Sequence, residues 1–176
     1  MTSEDVPTDF GRVAFLDLEA SGLGSNSFPT ELGWALICED GSVESSSCLI
    51  RPPSQWTFYA NAWSDASEHL TGITREMLEH HGLQPAEAMK TFLEAVGERQ
   101  LFSDEVDFDA HWLAMLAKAA GRSIQEHEIG DARTLIKRVS PEPLSKLASG
   151  KSNHRAEPDA RRLALAFTTA HTSRTP

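Results

Sequence analysis

The sequence predicts an α/β fold, in which a mixed five-stranded sheet is covered by helices on both faces. Two observations support this prediction. Short apolar runs typical of strands alternate along the chain with segments whose apolar residues recur at helical spacing. The length of 176 residues is enough for one domain with a sizeable core, and it leaves no room for a second. We therefore treat residues 1–176 as a single domain, with loose ends at about 1–9 and 171–176.

The first half of the chain contains three predicted strands. The first runs from Val13 to about Glu19, and the second covers about Glu31–Cys38. A turn at Asp40-Gly41 leads into the third, Val43–Ile50, and Arg51-Pro52-Pro53 ends it. These three strands are expected to form neighbouring parts of the sheet.

The second half alternates between helices and strands. Met89, Phe92, Leu93 and Val96 share one helical face within Pro85–Val96. The remaining expected elements are a fourth strand at Gln100–Ser103, a helix at Asp109–Ala120, a fifth strand near Ile129, two helices around Ala132–Val139 and Leu144–Ala148, and a last helix beginning near Pro158.

Two acidic residues lie where the first strand ends. Asp17 and Glu19 are two positions apart, so their side chains point to the same face of that strand. The strand then runs out into Ser21-Gly22-Leu23-Gly24, at a carboxyl end of the kind where open α/β sheets bind their ligands. This pair is expected to line a ligand site.

Two more acidic residues lie where helices begin. Asp109 falls in the first turn of its predicted helix. Asp159 lies one turn before Leu163, on the inward stripe of the last helix. Carboxylates gathered at one point repel each other, and bound cations usually stabilise such a cluster. Oxygen ligands favour Mg²⁺ or Mn²⁺, and no Cys-rich cluster favours zinc.

These residues resemble a known family, the DEDDh branch of 3′-to-5′ exonucleases, which includes proofreading subunits of DNA polymerases, oligoribonuclease and RNase T. The similarity spans nearly the whole chain. It is carried by Phe15 to Leu23, by Glu31-Leu32-Gly33, by Leu70 to Thr74, and by His154 to Asp159. The resemblance implies a ribonuclease H-like fold and the release of nucleoside 5′-monophosphates from the 3′ ends of single-stranded DNA or RNA.

The resemblance also implies a role for each matching residue. Asp17, Glu19, Asp109 and Asp159 would hold two Mg²⁺ or Mn²⁺ ions, and His154 would take a proton from the attacking water. Imidazole suits this role because it is mostly neutral at working pH. The backbone near Ala20 and Ser21 would meet the terminal sugar, and Leu23 would wedge against the last base. The substrate-binding residues are then Ala20, Ser21, Gly22, Leu23 and Arg155.

The sequence departs from the family at the second motif. Most members carry His-Asn a few residues before Phe-Asp, whereas this chain has Asp104-Glu105 there. Asp104 or Asp107 could therefore be the metal ligand, although Phe108 before Asp109 favours Asp109. Thr71 also stands where the family commonly has His, which affects substrate contacts rather than metals.

Other interpretations remain open at this stage. An Asp-x-Glu pair alone is usually ordinary solvated charge, and only the ordered set of motifs is specific. The fold could serve as a non-catalytic nucleic-acid or protein interaction module, or as an endonuclease of the wider ribonuclease H-like group. Late basic residues could bind phosphates or form a charged helix face, namely Lys146, Lys151, Arg155, Arg161 and Arg162. Aromatic residues after the third strand could stack on bases, although packing is favoured: Trp56, Phe58, Tyr59 and Trp63.

Charge and composition limit the range of functions. The net charge of −10 argues against coating of long duplexes and fits a short footprint at a strand end. No stretch is apolar enough to cross a membrane, and the N-terminal residues lack signal-peptide features, so a cytoplasmic location is expected. Cys38 and Cys48 are expected as buried, reduced thiols. Many relatives pair, which leaves a homodimer open.

Overall fold

The computed structural model describes residues 9–123, 129–139 and 154–172, and its centre is a five-stranded mixed sheet. The strands are β1 (Val13–Ala20), β2 (Pro29–Ile37), β3 (Val43–Leu49), β4 (Gln100–Ser103) and β5 (Ile129–Asp131). Their order across the sheet is β3-β2-β1-β4-β5. β2 pairs antiparallel with both β1 and β3, whereas β1, β4 and β5 run parallel. The predicted α/β fold with a mixed sheet is confirmed.

Helices cover both faces of this sheet. One face packs against apolar residues of α3 (Pro85–Val96) and α4 (Val106–Ala119), and the other packs against α5 (Ala132–Val139) and α6 (Ala156–Thr172). Successive residues of β1 alternate between the two cores: Leu16 and Leu18 face the first, whereas Phe15 faces the second. The helices in the described part of the chain are α1 (Asp65–Thr71), α2 (Arg75–His81), α3 (Pro85–Val96), α4 (Val106–Ala119), α5 (Ala132–Val139) and α6 (Ala156–Thr172), together with a short 3₁₀ helix at Phe10–Arg12.

The sequence patterns located α3, β4 and α5 at the bounds that the structure has, and the other strands within about two residues. The predicted helix at 144–148 lies outside the described residues. α4 begins at Val106, three residues earlier than expected, so Asp109 lies within its first turn. α6 begins at Ala156 and continues to Thr172.

Two short helices, α1 and α2, were not predicted. Each has seven residues and an N-cap hydroxyl: Ser64 Oγ accepts from Ser67 N at 3.4 Å, and Thr74 Oγ1 accepts from Met77 N at 3.1 Å. Gly72 ends α1 in the left-handed region, with φ of 70°. Helices this short depend on their caps and on tertiary packing rather than on propensity.

The two cysteines are free, and both are half-buried rather than fully buried. Burial, with a smaller contribution from the nearby Glu31 carboxylate, raises the pKa of the Cys48 thiol to about 12. None of the helices in the described part of the chain is long and apolar enough to cross a lipid bilayer.

Candidate metal centre

Three carboxylates meet at the carboxyl end of β1. Asp17 and Glu19 project from the same face of the strand, and Asp159 approaches them from the first turn of α6. One carboxylate oxygen from each residue lies within 4.8 Å of the other two. The structure therefore brings these three predicted ligands together, although they are separated by up to 142 positions in the chain.

Asp109 reaches the same place from the opposite face of the sheet. It lies in the first turn of α4 and is 1% exposed. Its Oδ1 accepts a hydrogen bond from Leu18 N on β1 at 2.9 Å, and its Oδ2 accepts from Ser103 Oγ at the end of β4. These bonds fix the carboxylate between β1 and β4 while leaving a second lone pair on each oxygen.

The electrostatics of the centre favour a bound cation. Burial, followed by the charge of Asp109 and then by those of Glu19 and Asp159, raises the pKa of the Asp17 carboxyl well above its ordinary value. Burial, followed by the charge of Glu31, raises the pKa of Glu19 to about 7. Burial also raises the pKa of Asp109, partly offset by the hydrogen bonds from Ser103 and Leu18. Clustered carboxylates with this mutual repulsion suit hard divalent cations such as Mg²⁺ or Mn²⁺.

The other acidic residues of the second motif have different surroundings. Asp104 lies at the rim of the same cleft, where it pairs with Arg162 Nη2 at 3.4 Å and Arg133 Nη2 at 3.5 Å. Glu105 also pairs with Arg133, at 2.9 Å, and its side chain is largely exposed. Asp107 is exposed and does not line the cleft. Asp109 is thus the residue of this motif whose carboxylate lies deepest among the other acids.

His154 lines the cleft that contains the carboxylates. It is the one non-glycine residue with positive φ among those described, at 49°, and it comes two residues before α6 begins. His154 thus shares the lining of this cleft with Asp159 and Arg162.

The beginning of α6 is fastened to β2 by a buried acid. Glu31 is 1% exposed and accepts a bidentate pair from Arg155, with Nε at 2.9 Å and Nη2 at 2.8 Å, as well as Ala156 N at 3.0 Å. Burial alone would raise the pKa of Glu31, but these bonds and one from Ser47 hold it below its ordinary value. At Gly33, two residues along β2, an added Cβ would overlap the backbone of Ala156.

Arg155 therefore has a structural partner, whereas the sequence predicted that it would contact substrate. Its guanidinium is committed to Glu31 through two charge-assisted hydrogen bonds. Arg161 donates to Val43 O at 2.8 Å and Ser45 Oγ at 3.3 Å, which ties α6 to β3. Arg162 is the late basic residue that lines the cleft, while Lys146 and Lys151 lie outside the described residues.

The loop after β1 divides into residues that face the cleft and one that does not. Ala20, Gly22 and Leu23 line the cleft, whose volume is about 580 Å³, and Leu23 is 88% exposed. Ser21 instead points inward: its Oγ donates to Ala62 O at 2.6 Å and accepts from Phe28 N at 3.0 Å. Three residues of α1 also line the cleft, namely Ser67, Leu70 and Thr71; the sequence motif included Leu70 and Thr71, whereas Ser67 was missed.

No protein-family model matches this chain, and no curated protein sequence matches it either. Solved structures do match in fold. E. coli exonuclease I in complex with a dA16 oligonucleotide superposes with a TM-score of 0.66 at 17% identity, over 93% of this chain and 41% of that one. A moderately thermophilic exonuclease I from Methylocaldum szegediense gives 0.62 at 17% identity, over 89% of this chain and 40% of that one.

A full-length 3′-exonuclease also matches, with a TM-score of 0.63 at 14% identity, over 92% of this chain and 60% of that chain. The chain thus spans less than two thirds of the length of each of these neighbours. Identities this low relate the folds rather than the activities. The chain has the ribonuclease H-like α/β fold of these exonucleases, with an acidic cluster at the carboxyl end of its first strand.

Proposed function

We propose that this chain is a metal-dependent 3′-to-5′ exonuclease of the DEDDh type that acts on single-stranded DNA or RNA. The observation that carries the proposal is the convergence of Asp17, Glu19 and Asp159, with an oxygen of each within 4.8 Å of the others, beside the buried Asp109. The fold shared with exonucleases supports a nuclease over other uses of such a cluster.

The carboxylates are proposed to hold two Mg²⁺ or Mn²⁺ ions, a role that the repulsion among them supports. When bound, such ions polarise the phosphate, lower the pKa of water and stabilise developing negative charge. Asp109 is kept in position for this role by Leu18 N and Ser103 Oγ. Asp159 is oriented by Arg162 Nε, which donates to its Oδ1 at 3.3 Å.

His154 is proposed as the general base. Its imidazole would accept one proton from the attacking water, whose oxygen forms a new bond to phosphorus. The bond from phosphorus to the 3′ oxygen of the preceding nucleotide then breaks, and that oxygen is protonated. The products are a nucleoside 5′-monophosphate and a strand shorter by one nucleotide. The presence of His154 in the lining of the cleft that contains the carboxylates supports this role.

The terminal nucleotide is proposed to occupy the cleft, with its sugar near Ala20 and Gly22 and its base against Leu23. The high exposure of Leu23, an apolar side chain that the fold leaves in solvent, supports this contact. Single-stranded substrates are favoured because similar structures hold oligonucleotides and because a net charge of −10 suits a short footprint. A cytoplasmic location and a homodimer remain predictions from the sequence.

The direct test is incubation of 5′-labelled single-stranded DNA and RNA with Mg²⁺, Mn²⁺ or a chelator. We expect a ladder that shortens from the 3′ end with either ion and no cleavage with the chelator. Asp17→Asn, which keeps the shape of the side chain, should abolish cleavage, whereas the exposed Glu98→Gln should not change it. Cleavage by Asp17→Asn at the rate of the parent would refute the site.

Two alternatives give different outcomes in the same experiment. A non-catalytic interaction module would bind the oligonucleotide without shortening it, and calorimetry with Mn²⁺ would detect no metal binding. An endonuclease would produce internal fragments rather than a ladder of single-nucleotide steps. The unusual acidic stretch from Ser103 to Asp107 motivates the first alternative, but its Asp104 and Glu105 are paired with Arg133.

A further inference from the structure

A second cavity, of about 490 Å³, is lined by residues outside the acidic cleft. Its walls come from the segment between β3 and α1 and from α2. Aromatic residues and two arginines contribute to its lining: Phe28, Arg51, Phe58, Tyr59, Trp63 and Arg75. The residues that line it are distinct from those that line the acidic cleft.

The aromatic residues of this segment divide into two groups. Trp56 is buried and stacks on Phe28, with ring centroids 6.0 Å apart and an interplanar angle of 17°. Phe58 and Tyr59 instead pack on each other edge to face, at 5.2 Å, and remain 79% and 53% exposed. The fold therefore leaves two ring faces beside the cavity in contact with water, where a further planar group could cover them.

Positive charge accompanies these rings. Arg75 lies with its guanidinium carbon 5.1 Å from the centroid of the Trp63 ring, and Arg51 has a buried Nε without a hydrogen-bond partner. Glu79 is the acid that lines the cavity, so two cations face one anion there. In a chain whose net charge is −10, this local excess of positive charge suits an anionic ligand.

Hydrogen bonds connect the lining of the cavity to the loop that borders the acidic cleft. Ser21 O accepts from Ser64 N at 2.7 Å, and Ser21 Oγ donates to Ala62 O at 2.6 Å, which joins the loop after β1 to the lining of the second cavity. Ser64 caps α1, whose later residues line the acidic cleft. The segment that carries the exposed rings is thus hydrogen-bonded to the loop whose Gly22 and Leu23 line the cleft.

We propose that this cavity is a second nucleotide subsite, which binds a base of single-stranded nucleic acid several nucleotides upstream of the 3′ end. The base stacks on Phe58 and Tyr59, and Arg51 and Arg75 contact the neighbouring phosphates. The inference rests on the proposed exonuclease function, since it assumes that the 3′ end lies in the acidic cleft. It extends the footprint of the enzyme beyond the terminal nucleotide.

The test compares the parent with the double variant Phe58→Ala/Tyr59→Ala, whose side chains are exposed and whose loss should not disturb folding. Binding of a labelled 12-nucleotide oligothymidylate is measured by anisotropy in a chelator, and cleavage of 12-mer and 3-mer substrates is measured with Mn²⁺. We expect the double variant to bind the 12-mer about 10-fold more weakly. The ratio of kcat/KM for the 12-mer to that for the 3-mer should fall by a similar factor.

Two controls separate stacking from other effects. Phe58→Trp keeps a ring face and should retain most of the affinity, whereas Leu165→Ala removes an exposed apolar side chain from α6 and should change nothing. If the parent cleaves from the 3′ end and the double variant shows unchanged affinity and an unchanged ratio, the second subsite is refuted while the exonuclease function stands. If the parent neither binds nor cleaves any oligonucleotide, both proposals fall.

Discussion

The carboxylate centre makes the stability of the metal-free protein depend on pH in a direction that can be worked out at Glu19. The pKa of this carboxyl rises from 4.5 to about 7 on folding, chiefly because of burial and then because of the charge on Glu31. Between those values the folded chain binds more protons at this residue than the unfolded chain does. The free energy of unfolding therefore falls as the pH rises through that interval and levels off above about 7.

The magnitude follows from the same interval. A rise from 4.5 to about 7 corresponds to about 3 kcal/mol, and partial exposure of the side chain reduces this to about 1–3 kcal/mol. Glu19→Gln cannot ionise, so it removes this contribution and also relieves the neighbouring carboxylates. Between pH 5 and pH 8, the free energy of unfolding should therefore fall by about 1–3 kcal/mol less in the variant than in the parent.

Urea denaturation at pH 5 and pH 8, with a chelator present, measures this difference directly. The matched control is Glu98→Gln, which changes an exposed acid after α3 and should show the same pH dependence as the parent. A loss of stability in Glu19→Gln as large as that of the parent would mean that this carboxyl is not held among like charges in the folded protein.

Three further predictions concern the ions, the docking of α6 and the general base. Saturating Mn²⁺ should raise the Tm of the parent, as measured by calorimetry, and the rise should be larger at pH 8 than at pH 6 because protons compete for the same oxygens. Asp17→Asn should lose most of this rise in Tm, and an equal rise in the variant would place the ion elsewhere. Gly33→Ala should destabilise the fold by about 1–3 kcal/mol, because its Cβ would overlap the backbone of Ala156. The control Gly24→Ala has room for a Cβ and should leave the free energy of unfolding nearly unchanged. Equal urea midpoints for the two variants would contradict this close packing. His154→Ala should lower the rate of single-nucleotide release by about 10²- to 10⁴-fold with Mn²⁺ affinity largely retained, and a rate within threefold of the parent would exclude it as the base.

Much of the fold could be predicted because its signals are local. The two-residue repeat of a strand put Asp17 and Glu19 on one face, and apolar spacing located Pro85–Val96 and Ala132–Val139 at their observed bounds. The two short helices α1 and α2 escaped prediction because seven residues give barely two turns of periodicity. Their caps at Ser64 and Thr74 were the signals that could have revealed them.

The site was predictable to a similar extent. Motif order indicated the acids, and late basic charge suggested that Arg155 contacts substrate, which stays a prediction. The structure adds that the Arg155 guanidinium is hydrogen-bonded to Glu31. Glu31 lies 124 residues away from Arg155, so no local pattern indicates the pair. The contact of the Ser21 backbone with the terminal sugar stays a prediction, and only the structure shows that the Ser21 hydroxyl is hydrogen-bonded to Ala62 and Phe28.

The sequence by itself determined which residues can do chemistry: the acids, the imidazole, and the strand and helix ends that carry them. Periodicity is enough for this, because the face on which a side chain lies depends on its neighbours along the chain. Only the tertiary structure decided which of these groups meet, with Asp109 and Asp159 arriving at β1 from opposite faces of the sheet. It also decided which charged groups are neutralised within the fold and which remain open to a ligand, since pairing and burial depend on contacts between distant segments.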